Sequence, residues 1–168
     1  GIHHGDSGSA TLTINNGTLT LQVKAPTTSE AQLGMGGLYN LNDAASYESF
    51  VAMLPAMYDG TATNPLGFGQ TGTHIQAGAQ HDHLEIGGGI VWNGGQIEVA
   101  AFDGFAPAAG DVYNLMDWHG VASWNTFDGG DRYRVGGETG TDLVLPDLTA
   151  FNAALRWDTG LFASHGIL

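Results

Sequence analysis

Two imidazoles two positions apart are the first residues in this chain that could do chemistry. His81 and His83 flank Asp82, and Glu85 follows. On an extended strand, residues i and i+2 project to the same face. Both rings would then face one way and Asp82 the other. Such a pair can ligate Zn2+ or Cu2+ when one or two further ligands arrive from elsewhere. His3 and His4, close to Asp6, could supply them, as could His74 or His119. The blander reading is a pair of solvated histidines at a strand edge, and the spacing alone does little against it.

Carboxylates offer a second metal chemistry. Asp103, Asp111, Asp117, Asp128, Asp131, Asp142 and Asp158 mostly flank turns, and Asp128-Gly129-Gly130-Asp131 is the densest group. Carboxylates beside turn carbonyls suit Ca2+. The EF-hand spacing and the nonapeptide calcium repeat are both missing. Aspartates also serve turns through their own backbone hydrogen bonds. The candidate cofactors are therefore Ca2+, or Zn2+ or Cu2+, and nothing in the sequence demands one. A Ca2+ site predicts a higher melting temperature in Ca2+ than in NaCl of equal ionic strength.

Catalytic patterns are thin. Ser7 lies between Asp6 and Gly8, and no G-x-S-x-G elbow surrounds it. Glu85 and Glu98 could pair as glycosidase carboxylates, but nothing in the sequence sets their separation. The expectation is no enzyme. Trp118 and Trp124 are expected in loops, where exposed aromatic rings could stack on a glycan; core packing is the competing role.

The composition narrows the partners. The chain has 168 residues, with 17 Asp and Glu against 4 Lys and Arg, a formal net charge of -13. Phosphate contacts need clustered Lys and Arg, so nucleic acid and anionic membrane surfaces are poor partners. No apolar run is long enough to span a membrane. The chain lacks cysteine, which excludes disulfides and thiol chemistry. At 42% hydrophobic residues it can build a core, so disorder is not expected.

The elements that must position these residues read as β-rich. Ala10–Ile14 and Thr18–Val23 alternate with period two around Asn15-Asn16-Gly17, a strong turn signal. A hairpin is the default there, although a turn between successive solenoid strands would look the same. Residues 25–37 read as loop. Tyr47, Phe50, Val51, Leu54, Met57 and Tyr58 share one helix face within 42–58, with Asn42 or Asp43 as cap. Pro55 should end or kink that helix near Leu54. Beyond Thr73, short strands alternate with glycine-rich turns, at Thr73–Gln76, His83–Ile86, Gly89–Trp92, Gln96–Phe102, Val112–Asp117, Arg132–Val135, Asp142–Leu145 and Ala153–Trp157. No clean repeat of about 20–50 residues emerges, so a long regular solenoid is not expected.

The rhythm of the second half carries a resemblance. Gly104-Phe105-Ala106-Pro107-Ala108-Ala109-Gly110-Asp111-Val112-Tyr113-Asn114-Leu115 is followed by Leu145-Pro146-Asp147-Leu148 and then Leu155-Arg156-Trp157-Asp158. Residues Gln80 to Leu168 resemble the C-terminal region of exported bacterial proteins that carry a PEP-CTERM sorting tail, and the last rungs of autotransporter passengers. The sorting tail itself is not in this sequence, and 123–140 looks longer than the usual loop. The resemblance implies a secreted protein at the bacterial cell surface and says little about activity. Its residues also make sense without it. Gly104 and Gly110 permit turn dihedrals, and Phe105, Tyr113, Leu115 and Trp157 supply core area. The chain opens on Gly1 without a charged and apolar leader, which fits a processed chain.

Together these readings predict one all-β domain over 1–168, as a sandwich, jelly roll or short β-solenoid with one short α-helix, and 80–168 as the family-like part. They predict a non-enzymatic exported bacterial surface or matrix protein. Self-association is expected through the N-terminal strands, with Leu12, Ile14, Leu19, Leu21 and Val23 as the contact residues, by exchange of a strand between subunits into filaments. Pairing within the chain's own domain is the alternative. The rival function is a glycan- or metal-binding β module, with extracellular polysaccharide as the partner.

Overall fold

A computed structural model describes residues 10–29, 41–58 and 81–168. Among them the chain forms β1 (Leu12–Ile14), β2 (Gly17–Val23), β3 (Thr28–Ser29), α1 (Ala44–Tyr58), β4 (Leu84–Ile86), β5 (Ile90–Trp92), β6 (Gly95–Ala101), β7 (Asp111–Val112), β8 (Met116–Trp118), β9 (Ala122–Ser123), β10 (Tyr133–Arg134), β11 (Leu143–Val144), β12 (Trp157–Asp158) and the single-turn α2 (Phe162–His165). The protein is thus mostly short strands in several small sheets with one longer helix.

Three of the five sheets are wholly parallel. β1 pairs with β5 and β5 with β9, while β2 pairs with β6 and β6 with β11. β4 pairs with β8 in the same sense. The expected hairpin is therefore not formed. Asn16 does take a positive φ of 54°, but the turn sends the chain from one sheet into the next. β5 and β6 bend in the same way at Asn93 and Gly94. The two bends lie one over the other, 78 residues apart in sequence: the Asn93 side chain donates from Nδ2 to Asn15 Oδ1 at 2.9 Å. Gly95 sits opposite Gly17 and has a φ of +122°. A Cβ there would lie 2.2 Å from the Gly17 carbonyl oxygen.

In-register stacking lines up the inward side chains. Leu19, Ile97 and Leu143 fall in one column, and Leu21 and Val99 in another. With Ile14, Trp92 and Leu145 they belong to the main core or pack against it. Phe105, Tyr113, Leu115 and Trp157 are buried in it too, as the turn motif led us to expect, and the Phe105 and Trp157 rings stack at 6.3 Å. The expected strand Val112–Asp117 is split into β7 and β8, because Asn114 is fully buried between them and bridges Ile167. β3, β9 and α2 were not anticipated; all three are too short to show a period. The candidate strand Thr73–Gln76 lies outside the described residues.

α1 begins where expected. Asp43 caps it by accepting the Ser46 N–H at 2.9 Å. Pro55 does not end it: the helix runs on to Tyr58. Buried Phe50, Val51 and Leu54 pack against Val112 and Ile167. That packing holds the turn in which Pro55 supplies no N–H. No helix among the described residues is long and apolar enough to cross a membrane.

Candidate functional site

His81 and His83 lie just before β4, at the edge of a polar network that reaches into the core. His81 Nδ1 lies 2.8 Å from the Asp82 carbonyl, which can only accept. Nδ1 therefore carries the proton, and Nε2 accepts from the Thr27 hydroxyl at 2.6 Å. The same hydroxyl oxygen takes the Asn114 N–H at 3.0 Å. Burial pushes the His81 pKa down, only partly opposed by the Asp82 carbonyl. Protonation would also put two donors on Thr27 and leave its own hydroxyl hydrogen without an acceptor.

His83 behaves oppositely. Burial again disfavours its charged form, but Asp117 Oδ2 at 3.0 Å and the Asn114 carbonyl at 2.9 Å from Nδ1 outweigh it, so its pKa is raised. Asp117 is held in turn by the Asn114 side-chain amide at 3.0 Å. The two histidines are thus half-buried and bonded to different partners. His119 reaches only Glu85, at 3.4 Å and in solvent. Among the described residues no three potential ligands converge. His3, His4 and His74 lie outside the described residues.

A buried arginine that the sequence reading passed over lies beside the aspartate-rich turn. Asp128 Oδ1 accepts the Gly130 N–H at 2.9 Å, and Asp142 Oδ2 accepts the Asp128 N–H at 2.9 Å. These are turn bonds made by turn aspartates. Arg134 is only 6% exposed. Its Nη2 donates to the Leu143 carbonyl at 2.7 Å and its Nη1 to Thr141 Oγ1 at 3.2 Å. Burial pushes its pKa down, and the charges of Glu138, Asp128 and Asp131 oppose that. The charges of Asp128 and Asp131 thus act on the Arg134 guanidinium, whose hydrogen bonds go to Leu143 and Thr141. The signal was a pair of arginines, Arg132 and Arg134, beside an acidic loop, two of only four Lys and Arg in the chain.

Of the two tryptophans, Trp118 lies on a strand and Trp124 in a loop. Trp118 ends β8, and Trp124 follows β9. Their rings meet edge-on at 6.0 Å, and Trp124 also packs on Trp92, Phe127 and Phe162. Both are partly buried against the main core. Glu98 lies on β6, where it accepts weakly from Thr20 at 3.3 Å, and Glu85 lies on β4, in a different sheet.

A second charged cluster ties α1 to the antiparallel pair β10–β12. Arg132 grips both oxygens of Asp158 at 2.9 and 3.0 Å and reaches Glu48 at 3.1 Å. Tyr47 donates to Asp158 at 2.6 Å and Tyr133 to Glu48 at 2.8 Å. Burial would raise the Asp158 pKa, but these donors win and hold it below the ordinary carboxylate range.

The N-terminal strands lie inside their own chain. Ile14, Leu21 and Val23 are buried, and Leu12 and Leu19 pack against the core. β1 and β2 are also the terminal strands of their sheets. The Gln22 backbone turns away from β6 and bonds Asp82, through Oδ2 at 2.9 Å and N–H at 2.8 Å. By alternation Thr18 and Thr20 turn the same way. No described residue bonds their backbone there.

Comparison with family models, curated proteins and solved structures found no match.

Proposed function

We propose that this chain is a non-enzymatic structural module of an exported bacterial surface or matrix protein, built as a short parallel β-solenoid that associates through the outer edge of β1 and β2. The observation that carries this reading is the in-register parallel stack, with stacked asparagines at its bend and, at one end, an outer edge where no described residue bonds the backbone of Thr18 or Thr20, although His81 and Asp82 bridge it at Gln22 and Val23. The chemistry-bearing side chains support it as well, since His81, His83, Asp128 and Arg134 are all engaged in holding loops to that stack. Export and the bacterial surface rest on the resemblance of 80–168.

The two ends of the stack differ. At the far end, Arg134 covers the edge of β11 by donating to the Leu143 carbonyl. At the near end, uncharged threonines border β1 and β2, and such an edge is poorly defended against pairing. One end with an edge unpaired among the described residues at Thr18 and Thr20 favours a two-fold pair of edges, antiparallel across the axis, over an endless filament. Exchange of the strands is a weaker route, because β1 and β2 supply buried core residues to their own chain.

Equilibrium sedimentation tests the proposal. Thr18→Pro with Thr20→Pro removes outward N–H groups, which proline tolerates on an edge, and the weak Thr20 hydroxyl bond to Glu98. The native chain is expected to dimerise with rising concentration. The double variant should stay monomeric with an unchanged circular dichroism spectrum. A native chain that is monomeric throughout, or a variant that dimerises equally, would overturn the reading.

A further inference from the structure

A cavity of about 240 Å³ lies between α1 and the C-terminal half of the chain. Phe50, Val51, Leu54 and Ile167 give it apolar walls, and Asp111 and Tyr113 line it as well. It is larger than the ~150 Å³ that holds a benzene-sized guest. Two polar groups at this cavity are unspent. Tyr113 is 2% exposed, and its buried hydroxyl has no bonding partner among the described residues. Such an orphan in a native fold calls for an explanation. Asp111 accepts the Ala108 N–H through Oδ2 at 2.8 Å and has no cation within ion-pairing distance among the described residues. Burial pushes its carboxyl above the ordinary range. The other charged groups of the lining are occupied: Asp158 is gripped by Arg132, and Arg156 is turned to the carbonyls of Ala153 and Leu155.

We propose that this cavity binds a small apolar molecule bearing one protonated amine, whose ammonium meets the Asp111 carboxylate and the Tyr113 hydroxyl while its body lies against Phe50, Val51, Leu54 and Ile167. A charge-assisted bond to a half-buried carboxylate is of the strong kind. A chain with a net charge of -13 draws cations toward it and repels anions. A carboxylate ligand would face Asp111 and be rejected by like charge. A neutral hydrocarbon would leave both polar groups unsatisfied.

Titration calorimetry on the full chain with phenethylamine, phenylacetate and toluene tests this. Phenethylamine is expected to bind saturably and phenylacetate not at all. Asp111→Asn should weaken phenethylamine by about tenfold or more, since it removes the charge and keeps the shape. Tyr113→Phe, which deletes only the hydroxyl, should weaken it severalfold. Ala154→Trp places bulk at an exposed lining position without touching the core and should abolish binding. No saturable heat with phenethylamine overturns the proposal. So does phenylacetate or toluene binding equally well, or an affinity that Asp111→Asn leaves unchanged.

Discussion

His81 and His83 share a short segment, yet the fold treats their charges in opposite ways. His81 has its folded pKa below its ordinary 6.5, so the folded state prefers the neutral ring. Its contribution to stability is present above that value and is lost as pH falls through the folded pKa. His83 has its folded pKa raised. Its contribution is present below the ordinary value and is lost as pH rises through the folded pKa. Across pH 6.5 the two work against each other, His81 on the acid side and His83 on the alkaline side, so stability is compared at one pH on each side. His81→Gln should therefore make the loss of stability on acidification shallower, and His83→Gln should make it steeper. Urea unfolding at the two pH values reads this directly, and parallel curves for the two variants would contradict it. The metal expectation for this pair weakens for the same geometric reason: each ring nitrogen that would hold an ion has a hydrogen-bond partner.

At the level of elements, the parallel stack depends on close approach at its bend. Gly95 must be glycine on two counts, its positive φ and the 2.2 Å that would separate a Cβ from the Gly17 oxygen. Gly95→Ala is expected to cost about 2–5 kcal/mol, strain and overpacking combined. Gly140 makes a matched control. Its φ is +93° and a Cβ there meets nothing within 4 Å, so Gly140→Ala should cost only the backbone strain, about 1 kcal/mol. Denaturant midpoints compare the two. Equal losses would mean that the stack tolerates separation at Gly17 and Gly95.

For the whole molecule, the net charge of -13 is the dominant long-range term. Self-repulsion destabilises the compact state and salt screens it, so the melting temperature should rise with added NaCl. Arg134 already supplies the positive charge among Asp128, Asp131 and Glu138. Ca2+ at the same ionic strength should therefore raise the melting temperature no further than NaCl does. An additional rise in Ca2+ alone would show that a cation site exists besides Arg134. Screening should also ease the pairing of two acidic copies, so the dimer proposed at the outer edge of β1 and β2 should tighten with salt.

Local features of this fold could be read without coordinates. The Asp43 cap, the buried face of α1, the positive φ at Asn16 and the turn glycines Gly104 and Gly110 each depend on a few neighbouring residues and obey rules of propensity or sterics. The parallel pairing was not legible, although its trace was present. Ile14-Asn15-Asn16-Gly17 and Trp92-Asn93-Gly94-Gly95 share asparagine and glycine in the same places, but 78 residues separate them, beyond the periods expected of a repeat. Strands of two or three residues carry too few alternations to announce a partner. Which strand lies beside which is settled by long-range hydrogen bonding and by columns of side chains such as Leu19, Ile97 and Leu143. The candidate sites followed the same division. Residue types made His81, His83, Asp128 and Asp131 plausible ligands. Their fate turned on Thr27, Asn114, Asp117 and Arg134. Of these, Thr27 is far from His81 along the chain and beside it in space, and spacing along a sequence does not encode such contacts.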